Sequence, residues 1–199
     1  TESVTVNAGA GGAVSFNSTI DSETGENNSV LISGGAISFD GDIGAGTNGD
    51  QTIGSLTVTT ATSVLFGTAD AGEITNVLTD GPINLGSLSP ITQNITFDND
   101  GLSIVTTGDD VRLNGPIVLA DTNTSISTGS TSIGDIVFTN NSPLDGFTNE
   151  VNNLTLTAGL GTVRFNDDIG RNRLIGTLDV TRADAGVTFG EADFDMPDG

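Results

Sequence analysis

Short runs of alternating apolar and polar residues follow one another along the whole chain, separated by glycine, asparagine or aspartate. Alternation with a period of two is typical of half-buried β-strands, and Gly and Asx residues are typical of tight turns. The apolar residues are mostly β-branched, and no stretch of helical length carries a continuous apolar stripe. The pattern therefore predicts an all-β protein.

One pattern, apolar–x–aromatic followed by a turn residue, recurs through the chain. The residue in its third position, here called the anchor, is Phe in all copies but one, and the eight anchors are Phe16, Phe39, Phe66, Phe97, Leu113, Phe138, Phe165 and Phe189. Their mean spacing is about 25 residues, a length typical of solenoid repeats. A β-sandwich also has many short strands, but it does not require one side chain at the same phase of every unit.

Two further apolar positions accompany the anchors. An apolar–x–apolar run precedes most of them, as at Val4, Leu56, Leu102, Leu154 and Leu178. Another apolar residue follows four positions after the anchor in half of the copies: Ile20, Ile43, Ile117 and Ile169. A unit this short cannot bury an apolar face alone, so neighbouring units must cover one another. We expect a right-handed parallel β-helix, or β-solenoid, of about eight coils, with the anchors in one column.

The residue after the anchor is Asn, Asp or Gly in every copy except the one ending at Thr139. These residue types tolerate positive φ, which predicts a tight corner between two sheets. Two anchor intervals are irregular, with 31 residues from Phe66 to Phe97 and 16 from Phe97 to Leu113. The pattern therefore leaves the assignment of coils open between residues 67 and 133.

Three stretches are expected to form loops inserted at turns, at residues 21–29, 44–52 and 140–151. The last contains Leu144 and Phe147, apolar residues in otherwise polar surroundings. We expect these two side chains to fold back on the flank of the coil. The alternative is a contact patch on a protruding loop.

Composition excludes several classes of function. The formal net charge is −21, with five arginines and no lysine, so phosphate backbones and anionic lipid surfaces repel the chain. No apolar run approaches transmembrane length. Cys and His are absent, so disulfides, a Ser–His–Asp triad and a His-based zinc site cannot form. Since the chain begins at Thr1 without Met, we expect residues 1–199 to be a single solenoid domain of a processed or longer protein.

Carboxylates in turns are the candidate metal ligands. Residues 98–101, "DNDG", begin like a calcium loop, but the apolar Leu102 follows where that motif needs an oxygen ligand. The coil assignment places Asp167 and Glu191 in one column, with Asp168 beside them. Like charges one coil apart repel, and a divalent ion would relieve that repulsion. We expect weak calcium binding at most, and no other cofactor.

No catalytic residue is predicted, so we expect the protein not to be an enzyme. Polysaccharide-cleaving β-helices line one sheet with carboxylates and basic groups, whereas most Asp residues here fall in turns, where solvated Asp is ordinary. Arg112 and Arg164 are expected three coils apart, too far to act together. Ice binding by flat threonine arrays is also disfavoured, because the Thr–x–Thr pattern recurs irregularly.

Residues 153–190 and 29–67 resemble the β-strand repeats of filamentous-haemagglutinin-like bacterial exoproteins. The resemblance implies a right-handed β-helix, export to the bacterial surface or medium, and a role as stalk, adhesin or fibre. We therefore expect a non-catalytic structural or adhesive module that stacks end to end with flanking repeats or further subunits. Phe194 and Met196 could partly plug its end. The alternative is a carbohydrate-binding or carbohydrate-active β-helix with a surface glycan as partner, but the chain lacks the Trp and Tyr that glycan binding usually uses.

Overall fold

In a computed structural model of the chain, the backbone winds into a β-solenoid of about six turns with a period of about 26 residues. The structure describes residues 2–45, 51–67, 75–98, 101–120, 123–147 and 151–190. These residues contain no helix, and so none of the length and hydrophobicity needed to cross a lipid bilayer. The all-β class and the solenoid are confirmed, whereas the predicted count of eight coils is too high.

The strands of the described residues, numbered β1–β19 in chain order, form three parallel sheets of eight, six and five strands. Sheet A contains β1 (Ser3–Asn7), β3 (Ser29–Ser33), β5 (Leu56–Thr60), β8 (Ile83–Leu85), β11 (Val111–Leu113), β14 (Ile136–Phe138), β17 (Thr162–Phe165) and β19 (Gly186–Phe189). Sheet B contains β2 (Val14–Phe16), β4 (Ala36–Phe39), β6 (Ser63–Phe66), β9 (Ile95–Phe97), β12 (Ile117–Leu119) and β15 (Leu144–Gly146). Sheet C contains β7 (Asn76–Thr79), β10 (Leu102–Thr106), β13 (Asn123–Ser127), β16 (Asn153–Gly159) and β18 (Leu178–Ala183).

The core is the narrow space between the three sheets. In the strands of the central turns, alternate residues point inward and are buried, as in β10, where Leu102 and Ile104 are buried and Ser103 is half-buried. In-register pairing places each inward residue over its equivalent in the next turn, so that Ile104 lies between Val77 and Ile126. The alternation read from the sequence thus becomes a continuous apolar column.

The anchors form two columns in different sheets, so the prediction of one column is wrong. Phe16, Phe39, Phe66 and Phe97 lie in sheet B, with neighbouring ring centroids 5.0–5.7 Å apart. Leu113, Phe138, Phe165 and Phe189 lie in sheet A, where ring centroids are 4.8 and 5.2 Å apart. The column in sheet B continues beyond Phe97 with Leu119 and Gly146. The short anchor interval of 16 residues is therefore a step from one sheet to another.

The other predicted apolar positions shift with the anchors. The run before the anchor lies in sheet A in the first half of the chain, as in β5, and in sheet C in the second half, as in β16. The residue four positions after the anchor pairs in sheet C at Ile20 and Ile43, but in sheet B at Ile117 and Ile169. The chain passes through the three sheets in the same order throughout. The anchor positions, however, lie in sheet B up to Phe97 and in sheet A from Leu113 onward.

The sequence predicted an inserted loop at residues 140–151, but part of this range forms a strand. Leu144 begins β15 and is 1% exposed, so it belongs to the core. Phe147 is 49% exposed, so its side chain is only partly covered. The sequence concealed this strand because Gly146 occupies the position that Phe or Leu fills in the neighbouring turns of sheet B.

The predicted left-handed corner is present where the residue after the anchor is glycine. Gly67 and Gly190 have φ values of +92° and +82°, which non-glycine residues rarely adopt.

Asn114 builds its corner from side-chain hydrogen bonds along the stack. Its Nδ2 donates to the carbonyl of Gly86 at 2.7 Å, and its Oδ1 accepts from the Thr139 hydroxyl at 2.8 Å. Asn114, Thr139 and the neighbouring Ser142 are all buried. Satisfied buried polar groups of this kind hold the turns in register.

Candidate functional site: the open ends of the solenoid

The predicted calcium ligands are engaged within the chain where the structure describes them. The Arg171 guanidinium donates to Asp168 Oδ2 at 2.8 Å, and the backbone N–H of Asp168 donates to Asp167 Oδ1 at 2.8 Å. Glu191 and residues 99–100 lie outside the described residues. Within the described ranges, no three or more carboxylates are grouped so as to hold a metal ion.

Several aspartates instead join one turn of the solenoid to the next. Asp145 accepts hydrogen bonds from the backbone N–H groups of Asn172 and Arg173 at 3.0 and 3.1 Å, and from Asn172 Nδ2 at 2.7 Å. Asp42 likewise accepts from the N–H groups of residues 75 and 76 at 2.7 and 2.9 Å. These aspartates satisfy backbone donors at corners, where no strand partner is available.

The environment of Asp145 stabilises its ionised form. Partial burial by itself would raise the pKa of this carboxyl. The hydrogen bond from the Asn172 side chain, the N–H groups of Arg173 and Asn172, and the charge of Arg173 outweigh that effect and lower the pKa below its ordinary value of 3.8. Asp145 is therefore a structural carboxylate that stays ionised at neutral pH.

Arg112 and Arg164 are closer than the sequence predicted. They occupy the same outward position of β11 and β17, two strands apart in sheet A, with Val137 of β14 between them. Arg164 Nη2 forms an ion pair with Asp135 Oδ2 at 3.1 Å. Because Val137 intervenes and Arg164 is already paired, the two guanidinium groups do not form one site.

At the first turn, residues of the core column are uncovered. Val4 of β1 pairs with the buried Val30 of β3 and so lies in the inward phase, yet it is 55% exposed. Phe16 of β2 stacks on Phe39 with ring centroids 5.3 Å apart and is only half-buried. This end presents a slice of apolar core at the edge of two sheets.

At the last described turn the same situation recurs. Phe189 of β19 stacks on Phe165 with ring centroids 5.2 Å apart, but it is 67% exposed whereas Phe165 is 1% exposed. Val187 is 38% exposed, although its partner Val163 is fully buried. The predicted plug residues Phe194 and Met196 lie outside the described residues.

The strands β1 and β19 are the two edges of the same sheet, sheet A. In the described part of the chain each pairs with a neighbour on one side, β1 with β3 and β19 with β17. An edge of this kind is a template for a further strand. Because all strands in the sheet are parallel, the edge at β19 has the geometry that accepts a strand oriented like β1.

The two ends also differ in charge. Residues 2–28 contain four carboxylates and no arginine: Glu2, Asp21, Glu23 and Glu26. Residues 164–190 contain four arginines against four aspartates, the arginines being Arg164, Arg171, Arg173 and Arg182. Within this last turn, the ion pair and hydrogen bonds from Arg182 lower the pKa of Asp184. The first turn is therefore acidic, and the last described turn is close to neutral.

Comparison with known proteins found no matching family profile, no matching curated protein and no matching solved structure. The candidate site is therefore defined by geometry alone. The repeat pattern predicted open ends in general but did not single out Val4 or Val187. The signal was present, because alternation in β1 and β19 places both residues in the inward phase.

Proposed function

We propose that the chain is a non-catalytic structural module whose two ends are covered by further copies of itself, stacked head to tail. The observation that carries this proposal is the exposure of inward-phase residues at both ends, above all Phe189 at 67%. Apolar core left open beside unpaired strand edges associates with other chains unless it is capped. A second copy supplies both the missing strand and the missing apolar cover.

The geometry of sheet A supports a second copy as the occupant. With β1 of one copy placed beside β19 of another, Val4 lies over Val187 and Val6 over Phe189, as inward residues pair within the sheet. A head-to-tail contact of this kind does not close on itself, so repeated contacts generate a linear assembly.

Charge supports the head-to-tail orientation. Two first turns facing each other would bring two sets of four carboxylates together, whereas residues 164–190 carry as many arginines as aspartates. Repulsion between like charges disfavours the orientation in which two first turns meet. It has less effect on the affinity of the head-to-tail contact. The net charge of −21 also keeps the sides of neighbouring fibres apart.

The proposal includes a bacterial extracellular assembly as the setting. This part of the proposal is supported by the resemblance of residues 29–67 and 153–190 to the strand repeats of surface exoproteins.

Sedimentation velocity and electron microscopy across protein and salt concentrations test the stacking. We expect linear oligomers that grow with protein concentration. Salt should promote them, because it screens the repulsion between acidic subunits at distances beyond about 10 Å. Phe189→Asp, which puts a charge in the contact, should abolish the oligomers. Phe147→Asp is the matched control, because Phe147 is also exposed but lies at a side corner.

Two results would overturn the proposal. A protein that stays monomeric at high protein and salt concentrations would show that something other than a second copy covers the ends, such as flanking coils. Oligomers that persist in Phe189→Asp but disappear in Phe147→Asp would place the contact on the sides.

A further inference from the structure

A groove of about 400 Å³ lies over the beginning of the central strands of sheet A, away from both ends. Its lining includes residues 108–110 and the pair Asn84 and Arg112, which are partners across β8 and β11. Ile133 lines the groove and is 77% exposed. The volume falls within the range of small-ligand sites.

Arg112 has no partner in this groove. Its counterpart Arg164 pairs with Asp135, which precedes the neighbouring strand β14. The equivalent position before β8, the corresponding neighbour of β11, holds Pro82, which offers no acceptor. Among the described residues, no carboxylate oxygen lies within 4.0 Å of the Arg112 guanidinium nitrogens. Arg112, a half-buried residue, is thus left without a carboxylate partner.

The nearby carboxylates also keep free acceptors. Asp110 Oδ1 accepts the backbone N–H of Asp135 at 2.7 Å, while its Oδ2 and the Asp109 carboxylate accept no hydrogen bond from any described residue. Arg112, Asp109 and Asp110 therefore line one groove without pairing with one another. Asn84 adds an amide that both donates and accepts.

The arrangement selects a ligand by its hydrogen-bonding character. Two carboxylates disfavour an anion, and the guanidinium disfavours a cation. A hydroxyl group accepts from the guanidinium and donates to a carboxylate, so adjacent hydroxyls satisfy both sides. Ile133 and Pro82 offer apolar contact for the C–H face of a ring. A ligand with several hydroxyls on an apolar ring has both features.

We propose that the groove around Arg112 is a binding site for a neutral saccharide unit. The groove binds the sugar through hydroxyls placed between Arg112 and the Asp109–Asp110 turn. No Trp or Tyr exists in the chain to stack on the ring, so the affinity is weak, in the millimolar range. This proposal does not depend on end-to-end stacking.

Titration of the ¹⁵N-labelled protein with defined sugars, followed by amide chemical shifts, tests the site. The probes are neutral trisaccharides of glucose and of N-acetylglucosamine, with a galacturonic acid trimer and inorganic phosphate as anionic arms. We expect a neutral trisaccharide to shift the amides of Asn84, Arg112 and Ile133 saturably. Arg112→Ala should weaken binding by about tenfold, the size expected for losing hydrogen bonds to a charged group.

Arg164→Ala is the matched control, because it removes the same charge from the same row of sheet A outside the groove. Its binding should equal that of the unsubstituted protein, and Asn84→Ala should fall between the two. Shifts with phosphate or the galacturonic acid trimer alone would make this an anion site and overturn the proposal. So would the absence of saturable shifts with both neutral sugars, or binding unchanged in Arg112→Ala.

Discussion

Phe165 is the middle ring of a stack of three, between Phe138 and Phe189, and only 1% of its surface is exposed. Phe165→Ala leaves a cavity that the three surrounding sheets cannot collapse to fill. We expect it to lower the free energy of unfolding in denaturant by about 3–5 kcal/mol. Phe147→Ala, at a half-exposed side chain, is the control and should cost less than about 1 kcal/mol. A loss that small at Phe165 would contradict the column in sheet A.

The sequence alone predicted single corners where the backbone requires a residue that tolerates positive φ. Gly67 and Gly190 have positive φ, and nothing but a turn residue fits that conformation easily. It could not show how Asn114 completes its corner, because the partners Gly86 and Thr139 come from the turns before and after. Such partners become visible only once the stacking register is known.

At the scale of the strand, Asp145 illustrates how acidic residues stabilise the stack. Its pKa is lowered in the folded protein, so its favourable contribution is complete above the unfolded value of about 3.8 and is lost as the pH falls through the folded-state pKa. We expect Asp145→Ala to lower stability at neutral pH by about 1–2 kcal/mol. The difference from the unsubstituted protein should shrink on acidification.

Denaturant unfolding of both proteins between neutral and strongly acidic pH measures this effect. Asp179→Ala is the control, since Asp179 is exposed and makes no side-chain hydrogen bond to a described residue. That variant should change stability by less than about 0.5 kcal/mol. If Asp145→Ala and Asp179→Ala behave alike at neutral pH, the link between turns at Asp145 contributes nothing.

The assignment of the anchors to sheets was predicted most poorly between Phe97 and Leu113. Both residues follow the same local pattern, but one faces the core from sheet B and the other from sheet A. Any inward position can hold a large side chain, since all three sheets line one core. Spacing therefore gave the period and the fold, while strand pairing was needed to assign each anchor to a sheet. The same limit hid β15, where Gly146 replaces the anchor.

The candidate sites were predictable to different degrees. Open ends follow from any uncapped solenoid, and alternation alone places Val4 and Val187 in the inward phase. The groove at Arg112 could not be derived from the sequence, because its lining comes from three turns that are brought together only by the pairing of the strands.

At the scale of the whole molecule, each turn contacts only its neighbours, so stability depends on position along the solenoid axis. A central turn is covered on two sides, whereas β1 and β19 are each covered on one. Opening of an end turn exposes little buried surface, since Val4 and Phe189 are already more than half exposed. The ends should therefore open more often than the centre without unfolding the whole chain.

Hydrogen exchange measures this gradient directly. In dilute solution we expect the amides of β8, β11 and β14 to exchange slowest and those of β1 and β19 fastest, although all five belong to sheet A. At concentrations where stacked copies form, β1 and β19 should gain protection while the central strands change little, because only the end strands acquire new partners. Phe189→Asp serves as the control, since it should keep the gradient but lose its dependence on concentration. Equal protection of β1 and β11 in the dilute monomer would show that the first turn is already covered, and the open-end argument would then be wrong.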